Sequence, residues 1–163
     1  TAELAEIAGY MHDIGNLINR VDHAQSGAVM AFRILDHMEM PPEEVATIIT
    51  AIGNHDEGTA VPVNAVAAAL ILADKTDVRR SRVRNRDMLT FDIHDRVNYA
   101  VEDSSFTIDG AQKTVSLDIS IDTSICAVMD YFEIFLNRML LCKKAAEFLK
   151  VTFELSINGV RLL

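Results

Sequence analysis

Nine consecutive apolar residues, Ala65 to Ala73, run directly into Asp74. A stretch this short cannot cross a bilayer, which needs about 20 such residues. An apolar segment with no polar face has to be surrounded by protein. The spacing therefore predicts a central buried helix over residues 63–78. Its first charge, Asp74, would be held near the helix C-terminus, at the edge of a core.

The remaining pattern is organised around that helix. Leu4, Ile7, Ala8 and Met11 recur at three- and four-residue spacing and predict a helix over 2–14. After a polar loop from Gly15 to Val21, Asp22 reads as an N-cap with Gln25 as its capping-box partner. That starts a second helix at His23, running to about Met38, with Val29, Met30, Ile34 and Leu35 as its apolar face. Pro41-Pro42 ends it, and Pro42, Glu43 and Glu44 suit the first turn of a third helix. The third helix uses Val45, Ile48, Ile49 and Ile52 and stops at Gly53-Asn54, leaving His55 just past its end. Residues 92–102 read as a further helix.

Near Asp103 the period changes from helical spacing to alternation. Ser105–Asp109 and Thr114–Asp122 alternate around a turn containing Gly110, residues 124–149 form a long amphipathic helix, and Val151–Ile157 alternates again before Asn158-Gly159. The expected fold is mainly α: a helical bundle over residues 1–102, followed by a small β-β-α-β antiparallel sheet unit over 103–163. The stripe of phenylalanine and methionine at 129–139 is expected to be core or a subunit interface. Edge strands of the sheet unit offer a route to a homodimer.

Charge and cysteine content narrow the function. With 15 basic and 24 acidic residues, the chain carries a formal charge of −9. That argues against an extended nucleic-acid surface. No basic segment leads into an apolar one near Thr1, so no signal peptide or membrane partner is expected. Cys126 and Cys142 both fall in the expected long helix, about 24 Å apart along its axis. They cannot pair there, and free thiols fit a cytoplasmic location. Thr1 is not an initiator methionine, and the helical pattern is already running at Ala2, so a preceding N-terminal helix is expected.

The chemistry concentrates at predicted helix ends. His12-Asp13 closes the first helix, His23 opens the second, His55 follows the third and Asp74 ends the fourth. A bundle that gathers those ends makes one polar pocket. Mixed imidazole and carboxylate ligands, without a suitably spaced cysteine pair, point away from structural zinc and toward Mn, Fe, Mg or catalytic Zn. Behind Asp74 come Lys75 and an arginine-rich segment. Arg79, Arg80, Arg82, Arg84 and Arg86 place a third of the basic residues within eight positions. Lys75, Arg79, Arg80 and Arg82 are candidates for gripping phosphate, with ion pairs to nearby acids as the alternative. His37 and His94 read as surface residues.

The ordered set His12-Asp13, His23, His55 and Asp74 resembles the HD-domain metal-dependent phosphohydrolases. The resemblance covers roughly residues 2–100. In that family His12-Asp13 match the namesake pair, His23 and His55 the two added histidines of the dinuclear subgroup, and Asp74 the final aspartate. The family's first histidine precedes the His-Asp pair and has no counterpart here. Asn16 stands where the cyclic-dinucleotide phosphodiesterase branch has lysine, and the Gly-Tyr-Pro segment of that branch is absent. The resemblance implies an HD-like helical bundle and two divalent cations bridged by Asp13 as the catalytic carboxylate. The implied activity is hydrolysis of a nucleotide or another small phosphorylated molecule. A non-catalytic sensor or scaffold that binds a nucleotide or a partner protein is the alternative.

Overall fold

The computed structural model describes residues 1–83, 90, 91 and 93–163, with all side chains of these but Arg82 and His94. By compactness the chain divides into two units, Thr1–Asp74 and Lys75–Leu163.

The first unit is helical. It contains α1 (Ala2–Met11), α2 (His23–His37), α3 (Pro42–Gly53) and α4 (Ala65–Lys75), whose last residue opens the second unit. A 3-10 turn at Ile14–Leu17 follows α1. Ala8, Met11, Ala31, Leu35, Val45, Ile48, Ala51, Ile52, Val66, Ala67 and Leu70 form its core. Pro42 sits in the first turn of α3, with Glu43 and Glu44 beside it. There the missing N–H of proline costs nothing, and the carboxylates face the positive helix end.

Three local expectations are corrected. The buried face of α2 is Ala24, Gly27, Ala31 and Leu35, whereas Val29 and Ile34 are exposed. Small side chains let α2 approach its neighbours closely, and that contact outweighs the preference for burying the larger residues. Asp22 makes no side-chain cap and lies in the left-handed region at φ 56°. Gln25 reaches across instead and donates from Nε2 to the Gly53 carbonyl at 3.3 Å. That ties the start of α2 to the end of α3. The apolar helix begins later than the hydrophobic pattern suggests, because Asn64 accepts the Ala67 N–H at 2.8 Å and also donates to Thr50 Oγ1 at 2.9 Å.

In the second unit a 3-10 turn (Arg80–Arg82) precedes α5 (Ile93–Ala100). Then come β1 (Val101–Asp109), β2 (Thr114–Ile121), α6 (Val128–Phe148), β3 (Thr152–Ile157) and β4 (Val160–Arg161). The division falls before the composition shift at Asp103. The reason is that α5 runs into β1 without a loop, and the Ala100 carbonyl accepts the Asp122 N–H at 2.8 Å.

The sheet corrects the expected fold class. The protein is α+β, with the sheet after the helices, and not mainly α. Among the described residues the sheet has four strands in the order β1-β2-β3-β4. It is mixed: β1–β2 and β3–β4 are antiparallel, but β2–β3 is parallel. Chain reach explains this. The 21 residues of α6 rise about 31 Å, enough to return the chain to the start of β2 before β3 begins. A helical crossover of this kind is what a parallel pair requires. The register sets Val115 beside Phe153, Leu117 beside Leu155 and Ile119 beside Ile157, and all six are buried. Tyr131, Phe135, Met139, Leu141, Cys142, Ala145 and Ala146 are the buried residues of α6. Cys126 precedes this helix and does not share it with Cys142. Both cysteines are buried and neither is in a disulfide, and burial raises the pKa of Cys126.

At the β3–β4 turn, Asn158 adopts φ 51° and Gly159 φ 77°. The Asn158 amide accepts the Ile121 N–H at 2.7 Å and donates to its carbonyl at 3.1 Å. This side chain thus extends the ladder by one rung beyond β3.

Tyr131 is fully buried, and its hydroxyl finds no hydrogen-bond partner among the described residues. Burial raises its pKa. A buried unpaired hydroxyl carries a desolvation cost that phenylalanine lacks. Tyr131→Phe is therefore expected to leave stability unchanged or raise it by up to about 1 kcal/mol in a urea titration. A loss larger than that would reveal a polar partner for the hydroxyl.

Candidate metal centre

The five ligand candidates all lie in the first unit, and the fold brings their side chains together. His12 caps α1. Asp13 follows at φ −96°, ψ 7°, out of helical geometry, and the 3-10 turn then reverses the chain. His23 is the first residue of α2 and is buried. His55 comes just after Asn54, which caps α3, and is 1% exposed. Asp74 lies in the last turn of α4, where the apolar run ends.

Glycine makes this convergence possible. A Cβ built on Gly15 would lie 2.0 Å from the His23 carbonyl oxygen and 2.7 Å from the Gly27 nitrogen. No side chain fits there. Gly27 returns the contact from α2, with its own added Cβ at 3.3 Å from the His12 carbonyl. Two backbones therefore touch where larger residues would hold His12-Asp13 away from His23.

The Asp13 carboxylate is central. Its Oδ1 lies 3.4 Å from His23 Nε2 and 3.8 Å from His55 Nε2, and its Oδ2 lies 3.7 Å from His12 Nε2. Asp74 Oδ1 is 3.9 Å from His12 Nε2. Ring centroids of His12 and His55 are 5.0 Å apart, and those of His23 and His55 are 5.1 Å apart, both edge-on. Two triads result, His12–His55–Asp74 and Asp13–His23–His55. Within each, the ligand atoms lie within 4.8 Å of one another.

The other nitrogen of each ring fixes which atom faces this cluster. Nδ1 meets a backbone carbonyl three residues back in all three cases: His12 to Gly9 at 2.7 Å, His23 to Arg20 at 3.0 Å and His55 to Ile52 at 2.6 Å. A carbonyl only accepts, so each Nδ1 carries the hydrogen. That leaves Nε2 of each ring as the atom turned toward Asp13. Gly9 and Ile52 fall among the last four residues of their helices, whose carbonyls lack regular intrahelical donors. The imidazoles satisfy those groups and are oriented by doing so. This is the outer hydrogen bond that metal-ligating histidines use.

Imidazole nitrogens and carboxylate oxygens gathered this closely suit a cation. Ligands bonded to one ion at about 2.1 Å stand about 3 to 3.5 Å apart, close to the spacings around Asp13. Three imidazoles favour Mn, Fe or Zn over Mg. One imidazole nitrogen binds one ion, so His55 cannot serve both triads at once. A pair of ions would have to be bridged by Asp13.

The basic residues proposed from sequence belong to the second unit. Lys75 is buried. Arg79 pairs with Asp77 at 2.6 Å. Arg80 donates from Nε to the Tyr99 carbonyl at 2.6 Å, and its guanidinium lies 4.7 Å over the Tyr99 ring. The side chain of Arg82 and the whole of Arg84 and Arg86 lie outside the described residues. His37 is exposed, as expected, and the His94 side chain lies outside the described ones.

Two residues near the centre escaped the sequence reading. Asp56 Oδ1 lies 3.9 Å from His23 Nε2, and Arg20 Nη1 lies 3.9 Å from Asp13 Oδ1. Asp56 had a signal in the dipeptide His55-Asp56, which repeats the His12-Asp13 pairing. Arg20 had none, being one arginine in a polar loop.

No family model, curated protein or solved structure matches this chain. The geometry of the centre therefore carries the functional argument. Among the described residues, no helix is long and apolar enough to cross a membrane.

Proposed function

We propose that the protein is a divalent-metal-dependent phosphohydrolase with a ligand set of the HD type, acting on a nucleotide or another small phosphorylated molecule. The observation that carries this reading is three Nδ1-anchored imidazoles whose Nε2 atoms surround one aspartate. Asp74 stands at the rim of the same cluster.

Divalent cations bound there supply Lewis acidity toward a phosphoryl group and make water a stronger acid. The chain's own residues supply the rest. His23 and His55 are buried and hold fixed tautomers, so they need little reorganisation on binding. Asp13 is half exposed and opens the centre to solute on one side. An open, mostly apolar groove of about 570 Å³ counts Asp13 among its walls, with Tyr10, Met11, Ile34 and Met38, but none of the three histidines. Its size is within the range of small-molecule sites. Asp56, beside His23, is placed to accept a proton at its carboxylate oxygen.

The test is metal analysis of the purified protein with an assay of phosphomonoesters and diesters, before and after chelation. The expected result is stoichiometric Mn, Fe or Zn, with hydrolysis lost to chelator and restored by that metal. A protein that takes up no metal and hydrolyses nothing when Mn, Fe or Zn is supplied would overturn the proposal.

A further inference from the structure

We propose that Arg20 binds the substrate phosphate at this centre. The inference rests on the phosphohydrolase reading and assigns that site its anion-binding residue.

Four observations converge on it. Arg20 Nη1 lies 3.9 Å from Asp13 Oδ1, on the side where Asp13 is half exposed. The arginine side chain is 72% exposed, so most of its five donors face solvent. Its backbone is part of the centre, because the Arg20 carbonyl accepts His23 Nδ1–H at 3.0 Å. The guanidinium is only weakly tethered, donating to Asn16 Oδ1 at 3.5 Å, the limit of a hydrogen bond. Meanwhile Arg79 and Arg80, two of the four candidates from sequence, are engaged by Asp77 and Tyr99.

An exposed ion pair at this distance contributes little to stability, so giving it up costs little. Cations bound at the cluster would take over the charge of Asp13. The guanidinium is then released within reach of the same oxygens, where a phosphate would sit. Its planar fork matches two phosphate oxygens, which an ammonium cannot do. Arg20 is thus a substrate-binding residue whose guanidinium exchanges one anion for another.

The experiment measures inorganic phosphate binding to the Mn-loaded full chain by calorimetry, in wild type, Arg20→Met and Arg20→Lys. Mn affinity and the melting temperature are recorded for each, and KM and kcat are measured with p-nitrophenyl phosphate. Arg20→Met is expected to weaken phosphate binding about tenfold or more and to raise KM more than it lowers kcat. Arg20→Lys recovers part of the loss, and Mn affinity is unchanged in both. Equal phosphate affinity in wild type and Arg20→Met would overturn the assignment and leave the phosphohydrolase reading standing. A parallel loss of Mn from Arg20→Met would also overturn it, by showing a structural role. Failure of Mn-loaded wild type to bind phosphate would remove both proposals together.

Discussion

Asp13→Ala is expected to lose metal binding and hydrolysis together while folding about as well as the metal-free parent. The carboxylate lies within 3.8 Å of all three ring nitrogens. Removing it takes away the contact shared by every histidine, and turnover should fall by about 10³-fold or more. Without metal the change in stability should be small, because Asp13 is half exposed and its exposed Arg20 pair is worth about 0–1 kcal/mol. Metal should separate the two proteins. Free Mn at 100 times its Kd stabilises the parent by about 2.7 kcal/mol, which for a chain of 163 residues is a rise in Tm of about 5–11 °C. The variant should show no such rise. Thermal melts of both proteins, with Mn and with chelator, test this directly. A parent whose melting ignores both additions would refute the metal centre.

The second large effect belongs to a residue without a side chain. Gly15→Ala puts a methyl group 2.0 Å from the His23 carbonyl and 2.6 Å from Ser26 Oγ. The carbonyl and the Gly27 nitrogen are backbone atoms and cannot rotate away, so the turn and the start of α2 must separate. A cost of about 2–4 kcal/mol is expected, the range of severe overpacking. Separation also moves His12 and Asp13 away from His23, so metal affinity should fall by about a hundredfold or more, as when the supports of a metal ligand are lost. Gly9→Ala is the control. It lies inside α1, six residues earlier, and an added Cβ meets nothing within 4 Å. Alanine there should stabilise the helix by about 0.5–1 kcal/mol and leave metal binding intact. Urea titrations and Mn binding on the two variants should diverge in opposite directions. Equal behaviour would mean that the Gly15–Gly27 approach is not what sets the site.

Much of the centre was legible in the chain itself. Helix ends are marked by local chemistry, such as Pro42 with its two glutamates or Gly53-Asn54. A histidine or aspartate at each end is therefore visible without a structure. The histidine tautomers also follow from local geometry, since each ring bonds a carbonyl only three residues away. The misreadings were of another kind. On α2 the larger residues Val29 and Ile34 looked like the core face, yet Ala24, Gly27 and Ala31 are buried. Choosing between the faces requires knowing how closely α3 and the Gly15 turn approach. The capping box at Asp22 failed for a similar reason, because Gln25 found a partner on α3, 28 residues away.

From the sequence alone came the elements that interactions over about four residues define: the helices, the switch to alternation after Asp103, the turn at Asn158-Gly159, and ligand types suited to a borderline metal. Tertiary structure alone decided what depends on contacts between distant segments. It set β3 parallel to β2, because α6 is long enough to return the chain. It placed Arg20 and Asp56 beside the ligands, and it brought Nε2 atoms from three separate segments around Asp13. The division has a physical cause. Local geometry is fixed by the dihedral angles and hydrogen bonds of neighbouring residues, whereas the meeting of remote groups depends on the packing of every element between them.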